Sequence, residues 1–182
     1  MAQTGSPSVT QKIALESGSP RIQKVIGKNL DIDKYVENVN YAASRGVVAN
    51  GFAMMGFPTE TEEDLQKTID ITCRSKLHTV SYFTTTPFPN TEMYRLAQER
   101  FPERLRQINY NDMEYAGLAV NLSDVPDDLL FAYQRRANRR FFLNPNRLGR
   151  LIRDYPRPYK LPLYLPVFAR RAMKGIVRPR RY

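Results

Sequence analysis

Three short apolar runs, each followed by an amphipathic stretch long enough to cross over a sheet, constrain this fold more than any other feature. Lys12–Leu15, Val47–Met55 and His78–Thr85 read as strands, the last rich in β-branched and aromatic residues. Asp31 opens a helix in which Ile32, Tyr35, Val36, Val39 and Ala43 recur at helical spacing, and Arg45-Gly46 closes it. Thr59 or Thr61 caps a second helix, Glu62–Arg74, and Thr91 caps a third that runs to about Glu99. Parallel strands need crossovers of this length, so the expected class is α/β with a three-stranded parallel sheet. Val47–Met55 is mostly apolar and is expected to be buried on both faces. Three strands leave two uncovered edges, which is little sheet for an independent domain.

The flanks are simpler. Residues 1–9 are polar and turn-rich and read as a flexible leader. Pro20, capped by Ser19, starts a short helix that ends near Gly27. Strand signals stop beyond Phe101. Pro126–Leu143 then forms a helix with Leu129, Leu130, Tyr133, Ala137, Phe141 and Phe142 near one face, and Arg147–Asp154 forms a shorter one. Tyr155–Pro166 alternates proline with aromatics and leucine, which favours extended or turn backbone, and a basic amphipathic stretch covers about Val167–Val177. The chain divides into 1–9, 10–108, 109–155 and a basic Pro/aromatic-rich tail, 156–182, with no repeat at solenoid periods.

Charge is distributed unevenly. Residues 1–134 carry 13 Lys and Arg against 17 Asp and Glu, a net of −4, whereas 135–182 carry 15 against Asp154 alone, a net of +14. Such a terminus suits RNA, an anionic membrane surface or an acidic protein, or is a solvated basic end. One cysteine and one histidine exclude a disulfide and a Cys- or His-rich metal centre built from this sequence. With no long apolar run and no hydrophobic leader, the expected location is cytoplasmic, with membrane-peripheral contact open to the tail.

In parallel α/β folds ligands bind at the carboxyl ends of the strands. Glu16-Ser-Gly-Ser19, Met54-Met-Gly-Phe-Pro-Thr-Glu60 and Thr86-Pro-Phe-Pro-Asn-Thr91 converge there, each joining a Gly or Pro to polar side chains. Gly51 and Gly56 have Walker A spacing, but Phe57 stands at the lysine position. No nucleophile elbow or local triad is present. Taken singly, these residues have plain structural readings. Glu16 can end a strand and pair with Arg21 or Lys24, Met54 and Met55 can fill a core, and Glu60, Glu62 and Glu63 can serve a helix terminus. Cys73 reads as a small buried hydrophobe, and His78 starts a strand without an assignable partner.

In order and spacing, Ile13–Arg21, Gly51–Asp64 and Thr86–Thr91 resemble the second half of a radical S-adenosylmethionine (SAM) domain, in its cobalamin-associated, B12-binding-domain-containing group. Gln134–Pro145 is similar to the helix that follows the core there, so the resemblance spans about residues 12–155. It implies the C-terminal half of a partial (β/α)6 barrel, strands four to six, with a helical basic extension. It also implies that Glu16 and Ser17 lie by the methionine and ribose of SAM. The stretch around Met54 and Gly56 would meet adenine while Glu60 braces the turn, and Thr86 to Phe88 would close over the nucleotide. Asn90 stands where the family usually has glycine, and Asn tolerates left-handed backbone well enough to keep the turn.

The resemblance also implies a [4Fe–4S] cluster held by a C-x-x-x-C-x-x-C loop, and here there is only Cys73. The expectation is therefore the C-terminal part of a radical SAM enzyme, inactive alone, whose cluster-bearing half is a separate chain or has been lost. Its substrate is unknown, and cobalamin would belong to a full-length relative. The alternatives are a non-catalytic binding module whose basic tail contacts RNA or an anionic membrane, and a remnant without function of its own.

Overall fold

The computed structural model describes residues 10–106, 108, 110, 121–154 and the isolated positions 163, 166, 167 and 169. Its strands are β1 (Thr10–Glu16), β2 (Val48–Met55) and β3 (Thr79–Thr84). They form one parallel sheet in the order β1-β2-β3. Ile13 lies opposite Gly51 and Met54 opposite Phe83, and the β1 register shifts between Ala14 and Glu16. The helices are α1 (Pro20–Val25), α2 (Ile32–Ser44), α3 (Glu62–Arg74), α4 (Glu92–Arg100), α5 (Pro102–Arg106), α6 (Asp127–Phe142) and α7 (Pro145–Asp154). The expected α/β class, with three parallel strands and trailing helices, is therefore present.

Local chemistry explains the helix boundaries. Ser19, Asp31, Thr61 and Thr91 each accept a backbone N–H from the first turn of the helix they precede. Thr61, not Thr59, caps α3, in a reciprocal box with Asp64. α5 has no counterpart in the sequence reading, because one five-residue turn carries too little periodicity to register.

One core joins Leu15, Ala49, Ala53, Met55, Val80 and Tyr82 of the sheet to Val39 of α2, Leu65 and Ile69 of α3, and Leu130, Ala137 and Phe141 of α6. These lie on a single face of the sheet. On the other, Asn50, Phe52, Met54, Thr79, Ser81 and Phe83 are half-buried, and Lys12 and Ala14 are exposed. This corrects the expectation that β2 is buried on both sides. Alternation along a strand sends its side chains to opposite faces, and among the described residues only one face belongs to the core. On the half-open face Phe52 and Phe83 stack at 5.7 Å, and Thr79 Oγ1 donates to Asn50 Oδ1 at 2.6 Å.

The C-terminal helices belong to the same body. The buried Arg147 of α7 donates to the carbonyls of Cys73 (2.8 Å), Ser75 (3.2 Å) and Leu77, and lies over the Phe141 ring at 3.7 Å. It thereby serves the negative end of the α3 dipole. Burial, helped by the charge of the neighbouring Arg150, brings its guanidinium down to about 10. The tail, 156–182, lies outside the described residues except for Leu163, Pro166, Val167 and Ala169. Those positions are helical where Leu163 and Pro166 were read as extended or turn.

Candidate functional site at the carboxyl ends of the strands

Each strand ends in, or leads into a loop that contains, backbone that most residues avoid. Glu16 (φ 62°), Gly56 (φ 94°), Thr59 (φ 61°) and Asn90 (φ 66°) are left-handed. For Thr59, a β-branched residue, this is strained. Two arginine contacts hold it there: Arg21 donates to Thr59 O at 2.5 Å and to Thr59 Oγ1 at 3.0 Å. Asn90 adopts the left-handed conformation that a glycine would take.

The loops after β1 and β2 are locked to each other through Asp64. Ser19 Oγ donates to Asp64 Oδ1 at 2.5 Å, while Arg21 and Thr61 (backbone N 3.0 Å, Oγ1 2.8 Å) donate to Oδ2. Burial acts to raise this carboxyl, but the donors from Arg21, Ser19 and Thr61 outweigh it and hold the group well below the usual range. Gly18 lets the loop lie flat on α3, for a Cβ there would sit 2.7 Å from Lys67 O. Its N–H donates to Thr68 Oγ1 at 2.9 Å.

The second turn is braced from beneath. Glu60 is fully buried, and its Oε2 accepts the N–H groups of Gly56 (2.6 Å) and Phe57 (3.2 Å). Among the described residues its Oε1 has no hydrogen-bond partner. Burial pushes the carboxyl up to about 8 despite these two donors. Thr85 Oγ1 donates to Gly56 O at 2.6 Å and Thr85 N to Met55 O at 2.9 Å, tying the third rim segment to the second. Asp124 N donates to Glu60 O at 3.0 Å and Thr59 N to Leu122 O at 3.2 Å, so the segment before α6 fixes the same turn.

The seven residues singled out in the sequence therefore fall into two groups. Ser17, Gly56 and Glu60 are buried, and Ser17 Oγ lies 3.3 Å from Thr68 Oγ1 and accepts from Ser19 N at 3.2 Å. Glu16, Met54, Thr86 and Phe88 are at least partly exposed on the rim or the half-open face. Glu16 pairs with Lys28 at 3.1 Å, not with Arg21, which is committed to Asp64, nor with Lys24. Phe88 is 54% exposed and leans on the Tyr110 ring at 5.9 Å.

The sequence reading missed two residues. Asp64 carries a signal only as the third residue of a capping box, which cannot announce its pairing with Arg21. His78 does have a partner: its Nδ1 accepts Ala49 N–H at 3.1 Å, which places the proton on Nε2, 3.2 Å from Asp154 Oδ2. That pair lies at the amino end of the sheet, away from the rim.

A half-open parallel sheet, with a polar, backbone-rich rim where its strands end, is the ligand-binding layout of a partial α/β barrel. Residues 9–71 match the Radical SAM superfamily. The chain is 26% identical over 136 residues to an uncharacterized methyltransferase of Pyrococcus horikoshii, covering 75% of this chain and 29% of that protein. It is 31% identical over 105 residues to a tRNA-2-methylthio-N(6)-dimethylallyladenosine synthase of Nitratidesulfovibrio vulgaris, covering 56% and 22%. It is 30% identical over 102 residues to the cytidylyl-2-hydroxyethylphosphonate methyltransferase of Streptomyces wedmorensis, covering 52% and 19%. The chain thus spans under a third of the length of these relatives, and the superfamily match stops short of β3.

No helix among the described residues is long and apolar enough to cross a membrane. No group of three or more His, Cys, Asp or Glu among them could hold a metal ion. Cys73 is half-buried in α3 and its thiol is pushed up by burial, the reverse of what a cluster thiolate needs. A [4Fe–4S] cluster does not fit these residues.

Proposed function

We propose that residues 10–110 are the SAM-cradling part of a radical SAM enzyme. The observation that carries this reading is the half-open sheet face ending in a strained polar rim, within a chain whose first third matches that superfamily. Glu16, which carries the Lys28 ammonium, is suited to the ammonium of the methionyl group. Met54, beside the Phe52–Phe83 stack, is suited to the flat face of adenine. Glu60, the Asp64 clamp and Thr85 act from behind, fixing the backbone that would meet the nucleoside.

A reduced cluster would supply the electron that cleaves SAM, and with one cysteine in the sequence its thiolates would have to come from outside these 182 residues, which would bind and orient SAM only. The relatives act on chemically unrelated molecules, a tRNA and a cytidylyl phosphonate, so this shared segment serves the cosubstrate and substrate choice lies elsewhere.

The test is SAM titration of the chain by isothermal calorimetry. Binding near about 1 mM or tighter is expected, weakened about tenfold by Glu16→Gln. Absence of heat at several times that concentration, or equal binding by the variant, overturns the reading. Anaerobic reconstitution with iron and sulfide is expected to yield no cluster absorbance from this chain alone.

A further inference from the structure

The amino end of the sheet carries a surface that the SAM reading leaves unused. A cleft of about 440 Å³ opens there between the end of α2, the loop before β3 and α7, with Ala43, Ser44, Lys76, Asn146, Arg150 and Arg153 among its lining. Among the described residues no acid lines it, and the Nε of Arg150 is buried without a hydrogen-bond partner. Asp154, the one acid after residue 134, is already held by Arg153 at 2.6 Å and by His78 at 3.2 Å.

On α7, Arg147 and Leu151 are buried, and Arg150 and Arg153 turn toward the cleft. Leu148 (45% exposed) and Ile152 (48%) lie one turn apart on the outside, with Leu143 (63%) just before the helix. Among the described residues, five of the eight exposed large hydrophobics fall between 143 and 167, and all five are aliphatic. On α7 itself the exposed apolar side chains are aliphatic; bases stack on aromatic rings, so this helix, taken apart from the aromatic-rich tail, fits a lipid headgroup layer better than RNA.

We propose that α7 and its cleft dock the protein on an anionic membrane surface. Leu143, Leu148 and Ile152 enter the interface while Lys76, Arg150 and Arg153 meet lipid phosphates. The occupant follows from charge complementarity: residues 135–182 carry a net +14. Docking at the amino end leaves the rim, at the opposite end of the strands, facing away from the bilayer.

The experiment is cosedimentation of the full chain with vesicles of phosphatidylcholine alone or mixed with phosphatidylglycerol, read alongside a single-stranded RNA in solution. Binding is expected to the anionic vesicles only, to fall with salt, to be lost in L148E/I152E and to weaken about tenfold in K76Q/R150Q. These positions are exposed or on the cleft wall, and circular dichroism verifies that the variants fold. Three results overturn the proposal: equal binding to neutral vesicles, anionic binding indifferent to both variants, and salt-sensitive RNA binding without vesicle binding. So does a concentration-dependent dimer abolished by L148E/I152E. None of these outcomes bears on SAM titration, so the two readings fail separately.

Discussion

The two ends of this three-stranded sheet are built on opposite principles. The amino end is sealed by residues from far along the chain: Arg147 caps the α3 carbonyls, and Asp154 accepts a hydrogen bond from the far nitrogen of His78. The carboxyl end holds left-handed backbone at Glu16, Gly56, Thr59 and Asn90, with Glu60 bracing Gly56 and Arg21 holding Thr59. One end stores stability and the other spends it on shaped backbone, which is the division expected of parallel α/β folds.

The sharpest way to break this contrast is Arg147→Ala. It strands several buried carbonyls at once and is expected to cost about 3 kcal/mol or more in urea unfolding. SAM affinity, referred to the folded fraction, should stay unchanged. Arg147→Lys should recover only part of the loss, since one ammonium cannot reach all the carbonyls.

Next comes Asp64→Asn, expected to cost about 2 kcal/mol and to loosen the rim. The native carboxyl lies below its unfolded value of 3.8, so its stabilisation is present above that pH and is lost as pH falls through the folded value. In acid unfolding the gap between wild type and D64N should therefore begin to narrow as pH drops below 3.8 and close only once the folded carboxyl itself is protonated, well below that value.

Glu60→Gln is expected to act in the opposite sense. The native carboxyl titrates near 8 against 4.5 unfolded, so the folded state holds the extra proton between those values. Stability contributed by this site falls as pH rises from 4.5 to 8. The glutamine variant, which mimics the protonated form, should gain stability relative to wild type as pH rises, in chemical unfolding measured at pH 5, 7 and 9. The smallest effect is Asn90→Gly, which relieves left-handed backbone and should raise stability by about 0.5 kcal/mol or less.

Much of this molecule was legible in its sequence because its elements obey local rules. α3 begins and ends where the cap and the 3.6-residue period put it, and the three rim segments follow from strand direction alone. What escaped is non-local. Glu60 is an intermediate case: the resemblance assigns it to brace the turn, but its own pattern does not separate it from Glu62 and Glu63, and that difference appears only once β2 and α3 pack. The half-open face of β2 escaped because an apolar run looks the same whether one or both sides are covered. Arg147 escaped because an arginine in a basic segment gives no sign that its partners lie seventy residues back.

That last separation has a consequence for how the protein is made. The carbonyls of Ser75 and Leu77 leave the ribosome about seventy residues before Arg147 does. At translation speeds of about 5–20 residues per second, α3 waits roughly 4–14 s for its cap. During that interval the nascent sheet has all three strands and the residues of its Asp64 clamp, but not the Arg147 cap. The amino end is therefore the last part of the sheet to be secured during synthesis.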